Sequence, residues 1–425
     1  MRPHTLLFIV SWMMIASALT PARPLIRCFA LLCFVGALFI LYSRYPKAIP
    51  LRVFYSGFIF VFVRVLLGWI KGVDEFLIFA RDTLGEMLFF ILPIGLFCAI
   101  VAYVDYKQFL RFVIVSVLMT IPFLVITIFA DVGTSRMNMA TAEMISFDAM
   151  IETYQTSRSG VMMYSAIHTL PFLLVGAVVA SKYSYSNKGI KILLMFFSFL
   201  ILFAIIRSGF GYATGIALAL LVLTLIGTRH LGVLMGGLVI LAIIVLILLK
   251  SGLLCSCLEY IQQGIGHDNV IGGKAGEIIS IIEGRDAGDF NARIEKYSQS
   301  WATFKLYPFF GGDLRDVGGH AYWIDILGQW GVLGFLPEMI MFLYGFGFLH
   351  TKFPMPHKYY LFFIFVFYMI LSSVKAKAFD AQNPVIFLFA LTLLLLREDV
   401  FYYVSNKMRR VFMIPYRSDN IHSVF

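Results

Sequence analysis

The chain has 425 residues, 60% of them hydrophobic and 14% charged, with a mean hydropathy of +0.87, and a soluble domain of this length does not carry so much apolar surface. It reads as an all-α polytopic membrane protein, because 43 Phe and only 14 Pro suit long apolar helices better than the alternating strands of an outer-membrane barrel. The net charge of +10 comes from bases scattered between apolar runs rather than gathered in a stripe, which favours membrane orientation over nucleic acid as a partner.

Runs of about twenty apolar residues suffice to cross a bilayer. Twelve are expected: 5–20, 25–43, 52–70, 85–104, 109–130, 161–180, 189–206, 210–227, 231–250, 322–349, 358–374 and 383–397. The first also resembles a signal peptide, with Arg2, an apolar core and Ala16-Ser17-Ala18, but the spans that follow favour a retained helix. With the N-terminus inside, alternate loops collect Arg44, Lys47 and Arg52, then Lys107 and Arg111, then Lys182, Lys188 and Lys191, then Arg229, then Lys352 and Lys358. The tail adds Arg397, Lys407, Arg409, Arg410 and Arg417, so the positive-inside rule holds along the chain and both termini are expected in the cytoplasm.

Four regions follow: spans one to nine over 1–250 with an external loop at 131–160, a large external loop at 251–321, spans ten to twelve over 322–397, and a basic cytoplasmic tail at 398–425. From 251 to 320 there are nine acids and six bases, a net of −3 in a protein of +10. Within this loop Ile294, Tyr297, Trp301 and Phe304 recur at helical spacing, and Pro308 with Gly311-Gly312 ends the pattern. A partly helical subdomain is expected there rather than a loose tether.

The ionisable groups at the expected outer surface carry the candidate chemistry. His320 follows Gly318-Gly319 where the loop enters the tenth span, and Trp323, Leu327, Gly331 and Gly334 then lie on one helical face. An imidazole there titrates near neutral pH within reach of lipid-linked and aqueous substrates. Arg207 sits in the short turn Arg207-Ser208-Gly209-Phe210-Gly211 between two apolar runs, where an arginine must snorkel, pair with an acid or bind an anion. Arg64 lies within the third span under the same constraint, Arg293 begins the loop helix, Arg158 ends the other external loop, and Arg315 is a weaker candidate.

Missing motifs narrow the reaction. No Asp-x-Asp pair, Walker loop, HExxH or GxSxG occurs, so no metal site and no cofactor are expected. Cys28, Cys33, Cys98, Cys255 and Cys257 have no metal-ligand spacing. Arginines and one histidine suit displacement of a diphosphate, with guanidinium forks taking the leaving charge and imidazole deprotonating a hydroxyl.

These residues, in this order, resemble the bacterial O-antigen polymerase and O-antigen ligase superfamily, integral-membrane C-type glycosyltransferases that use polyprenyl-diphosphate-linked glycans. The Arg207 turn is similar to the family's arginine between two mid-chain helices. Arg293-Ile294-Glu295-Lys296-Tyr297 through Pro308 to Gly311-Gly312 resembles its loop helix and Pro-x-x-Gly turn. Gly319-His320, Ile324-Asp325 and Gly331-Val332-Leu333-Gly334 resemble its histidine and Gly-x-x-Gly helix, although the family's usual Asn or Ser after the histidine is Ala321 here. The resemblance implies a polymerase of the inner membrane with its site facing the periplasm. Arg207 and Arg293 would hold the donor diphosphate, and His320 would activate the acceptor hydroxyl or orient the donor, with Arg64, Arg158, Arg315 and Tyr297 as further substrate-binding candidates. Its partners would be undecaprenyl-diphosphate-linked oligosaccharide donor and acceptor in membrane lipid, and a chain-length regulator is a further partner that the resemblance raises. Ligation of glycan to lipid A-core and polysaccharide transport or flipping are the alternatives. The late external loop and the lack of an internal repeat count against transport.

Overall fold

Long apolar runs with few breakers satisfy their backbone polar groups internally only as helices when water is excluded, and every regular element among the described residues is helical. The computed structural model describes residues 3–19, 36, 39–45, 50–129, 164–183, 188–208, 211–226, 252–265, 275–276, 278–280, 282–283, 289–313, 317, 321–374 and 383–412. In chain order the helices are α1 (Pro3–Leu19), α2 (Leu51–Ile70), α3 (Phe76–Tyr103), α4 (Tyr106–Phe129), α5 (Tyr164–Tyr183), α6 (Lys188–Arg207) and α7 (Gly211–Ile226). They continue with α8 (Leu253–Ile265), α9 (Asp289–Leu306), α10 (Tyr322–His350), α11 (His357–Val374), α12 (Asn383–Leu394) and α13 (Glu398–Val411).

Five of these, α2, α3, α4, α6 and α10, are long and apolar enough to cross a membrane, and α5, α7, α11 and α12 contribute shorter apolar segments. Their outward faces are apolar too. Phe54, Phe58, Phe62 and Trp69 on α2, Met195, Phe199 and Phe203 on α6, and Leu336, Ile340 and Leu343 on α10 all stand exposed, a surface that lipid rather than water solvates. The protein is therefore membrane-embedded. The whole of the expected ninth span, 231–250, and much of the second, 25–43, lie outside the described residues.

The centre of the bundle is built by α5 and α12, which pack on each other. Phe172, Leu173, Leu174 and Ala177 of α5 and Ala390, Leu391 and Leu393 of α12 are buried, as expected of helices apolar on all sides. Gly176 makes the close approach feasible, since a Cβ there would fall 2.6 Å from the Ala390 carbonyl oxygen. Between apolar helices already surrounded by apolar lipid, such small-residue packing replaces the hydrophobic effect as the source of association.

One end of the bundle is closed by α13, inside the segment read as a basic tail. Its first turn carries Glu398 and Asp399 and its last Arg409 and Arg410, the charge order the helix dipole favours. Val400, Phe401, Val404 and Met408 are buried, and Arg409 Nε donates to the Ala102 carbonyl at 2.7 Å, capping the end of α3. Asp399 is held below the usual carboxylate range by its hydrogen bonds to Arg397. Lys107 and Arg111 in the first turns of α4, Lys352 between α10 and α11, and Lys358 in the first turn of α11 lie at this same end.

Candidate functional site

At the opposite end, α2 and α10 run antiparallel and α9 packs against α10. Asp325, in the first turn of α10, accepts from the backbone N–H of Ala321 at 2.8 Å and from Ser300 Oγ of α9 at 2.5 Å. One carboxylate thus caps the head of α10 and fixes the loop helix to it. Ser300 and Ala321 are fully buried.

After α9, the Pro308–Gly312 turn docks onto the first third of α10, and the helix is broken at Gly331 to receive it. Gly331 has φ 59°, ψ −166° inside α10, a conformation that essentially only glycine adopts. The break removes the helical partners of the Val332 and Leu333 N–H groups and of the Gly328 and Gln329 carbonyls. All four are re-employed. Val332 N–H donates to the Pro308 carbonyl at 2.8 Å and Leu333 N–H to that of Phe309 at 3.2 Å, while the Gly328 carbonyl accepts from Gly312 N–H at 2.8 Å. The Gln329 carbonyl accepts from Lys71 Nζ at 2.5 Å. Lys71 also donates to the Gly312 carbonyl at 2.8 Å, so the end of α2 holds both sides of the junction. Burial pulls the Lys71 ammonium down to about 8, against the opposing effect of Asp313.

Beneath the junction lies a buried ionic cluster. Arg64, 3% exposed, places Nη2 2.8 Å from Glu338 of α10 and Nη1 3.1 Å from Glu86 of α3. Tyr322 donates its hydroxyl to the other oxygen of Glu338. The guanidinium also rests against Phe60 and Trp330, 5.0 and 5.4 Å from the ring centres, and Lys71 Nζ lies 5.2 Å from the Trp330 ring. An arginine in a membrane helix has few tolerable fates, and here it pairs with two acids from different helices. The candidate anion-binding Arg64 therefore locks α2, α3 and α10 together below the junction, with both Nη atoms engaged by protein. Glu86 is the partly exposed member of the cluster.

Arg207 ends α6 and is exposed. Phe172 of α5 packs its ring at a tilt against Tyr368 of α11, and one turn later Gly176 meets Ala390 near the end of α12, so α5 runs towards the α13 end. Lys182 at the end of α5 donates to the Leu225 carbonyl of α7, and α6 runs back from there. Arg207 accordingly lies at the same end of the bundle as the α9–α10 junction. Arg293 falls in the first turns of α9, and its side chain lies outside the described residues; Tyr297, one turn further on, is half-buried. His320, Arg158 and Arg315 lie outside the described residues, although Ala321, next to His320 in sequence, is buried at the head of α10. His168 is buried in α5.

Sequence reasoning missed Lys71, Glu86 and Glu338 and gave Asp325 no role. A signal existed: Glu338 and Glu86 are acids inside apolar runs, of the sign that a buried Arg64 demands. Among the described residues no group of three or more His, Cys, Asp or Glu could hold a metal ion. An apolar cavity of about 30 Å³ between Phe90, Phe342, Phe346 and Phe365 has room for about one water and no polar group to orient a substrate. The chain matches no protein-family model and no curated protein.

Proposed function

We propose that the protein is a polymerase of O-antigen or a related surface polysaccharide, with twelve spans, both termini in the cytoplasm and a loop subdomain over 251–321 covering a periplasmic site in the inner membrane. In this reading the acceptor sugar hydroxyl of a new lipid-linked unit attacks the anomeric carbon of the growing glycan. The new glycosidic C–O bond forms as the bond to undecaprenyl diphosphate breaks, the hydroxyl proton passes to His320, and the diphosphate leaves against Arg207 and Arg293. A single displacement inverts the anomeric centre. General-base assistance of this kind contributes about 10²–10⁴-fold, with stabilisation of the leaving charge by arginine adding more.

The observation that carries the reading is the junction itself. Two segments that resemble family motifs, the loop helix with its Pro-x-x-Gly turn and the Gly-x-x-Gly helix after His320, are joined through Gly312–Gly328, Pro308–Val332 and Phe309–Leu333 hydrogen bonds. The basic connections gather at the other end of the bundle, as a periplasmic site requires.

The test is complementation of a deletion strain with scorable surface polysaccharide by single Arg207→Ala, Arg293→Ala and His320→Ala variants. Expected are single repeat units on core and accumulation of lipid-linked units on the outer leaflet, at normal protein levels. Full-length glycan from His320→Ala would remove the histidine from the mechanism. A core bare of sugar with lipid-linked polymer retained would mean ligase, and inner-leaflet accumulation would mean flippase.

A further inference from the structure

The turn that docks on α10 shows an apolar face outward. Leu306, Tyr307, Phe309 and Phe310 are exposed, Leu306 by 73% and Phe309 by 66%, an unusual load for a loop in water. The neighbouring surface says what covers it. Phe309 is hydrogen-bonded through its carbonyl to Leu333, whose exposed side chain starts the row Leu333, Leu336, Ile340 and Leu343 along the membrane-crossing α10. On the other flank, Lys71 ties Gly312 to the end of α2, where Trp69 and Ile70 are exposed. The outward face of the turn is thus continuous with two lipid-facing helix surfaces.

Irregular backbone normally stays out of a bilayer because its polar groups lack partners. This turn has met much of that cost. The carbonyls of Tyr307, Pro308 and Phe309 accept from Gly311, Val332 and Leu333 N–H, and that of Gly312 accepts from Lys71. Its chemistry also suits the boundary between headgroups and acyl chains, where Tyr and Trp settle and lysines snorkel; Lys305 Nζ lies 6.0 Å from the Trp301 ring on the preceding helix.

We propose that the 307–310 turn is an interfacial membrane anchor: Phe309 and Phe310 insert into one leaflet beside the outer ends of α2 and α10 and seat the C-terminal end of α9 at the bilayer surface. This stands independently of any catalytic role. The partner is bulk phospholipid.

The test uses the full chain with its cysteines replaced by serine, reconstituted in phosphatidylcholine–phosphatidylglycerol vesicles and nitroxide-labelled at Phe309→Cys or Phe310→Cys. Leu336→Cys serves as the lipid reference and the exposed Ser298→Cys on α9 as the aqueous one. At both test sites, oxygen collisions should exceed those of a water-soluble nickel chelate, as at position 336. Nickel accessibility equal to that at 298 overturns the proposal, as does exclusion of both probes, which would mean a protein cover such as a second copy. Photolabelling of the unsubstituted chain by a diazirine-bearing phospholipid gives a check free of substitutions, and a 307–310 peptide left unlabelled while the α10 peptide is labelled would equally overturn it.

Discussion

Gly331→Ala should destabilise the protein through the junction alone. Alanine would have to hold φ 59°, ψ −166°, and its Cβ would lie 2.3 Å from the Phe309 carbonyl oxygen, 2.4 Å from its carbon and 2.7 Å from Gly311 N. All three are backbone atoms, so no side chain can swing aside and the turn must lift. The strained conformation costs about 1–3 kcal/mol, and losing the Val332 and Leu333 hydrogen bonds costs about 0.5–1.5 kcal/mol each. The total, about 2–6 kcal/mol, is a large share of a typical native stability of about 5–15 kcal/mol. Thermal unfolding in detergent micelles, followed by tryptophan fluorescence, should show a fall in Tm of several degrees, with protease sensitivity rising in the 306–321 segment. Gly347→Ala is the control, because a methyl group at that helical glycine would meet nothing within 4 Å. If the two variants melt together, the account of the junction is wrong.

Arg64→Met strands Glu338 and Glu86 and should cost about 3–5 kcal/mol, whereas Arg64→Met combined with Glu338→Gln should recover part of that; equal Tm values for the single and double variants would deny the coupling. Lys71, pulled down to about 8, should react with acetic anhydride with a half-maximal rate near that pH while exposed lysines lag towards their ordinary value. Because its folded value is depressed, the folded chain binds fewer protons than the unfolded one between about 8 and the ordinary lysine value, so this group's contribution to stability rises with pH across that window. A labelling midpoint shared with the exposed lysines would show that Lys71 is not buried in the junction.

Hydropathy made the helical membrane class and the position of α10 legible, because a span is a local, additive property of the residues in it. Which face of a helix turns inward was harder to read. Ile294, Trp301 and Phe304 gave the helical period of α9, yet Ile294 and Trp301 are exposed while Ser300 and Thr303 are buried, which reverses the usual amphipathic rule because α9 is fixed to α10 through the Ser300–Asp325 hydrogen bond rather than through an apolar stripe. Arg64 was recognisable as constrained, but its choice between an anion and an acid depended on Glu338, far off in sequence. Pairings across hundreds of residues leave no periodic trace. The kink at Gly331 was equally hidden: a Gly-x-x-Gly pattern speaks for close helix packing, and only the folded chain reveals that one of those glycines breaks the helix to accept a turn.

The exchange of hydrogen bonds at that break also constrains movement. Sliding or lifting α9 from α10 would strand the Val332 and Leu333 amides and the Gly328 carbonyl together, each worth about 4–6 kcal/mol in an apolar medium before water can replace it. With Lys71 stitched to the same backbone, the loop helix, the upper half of α10 and the end of α2 behave as one rigid body. If the proposed function holds, movement of substrate at this end of the bundle has to come from other segments, with the face made by α9 and α10 as their fixed support.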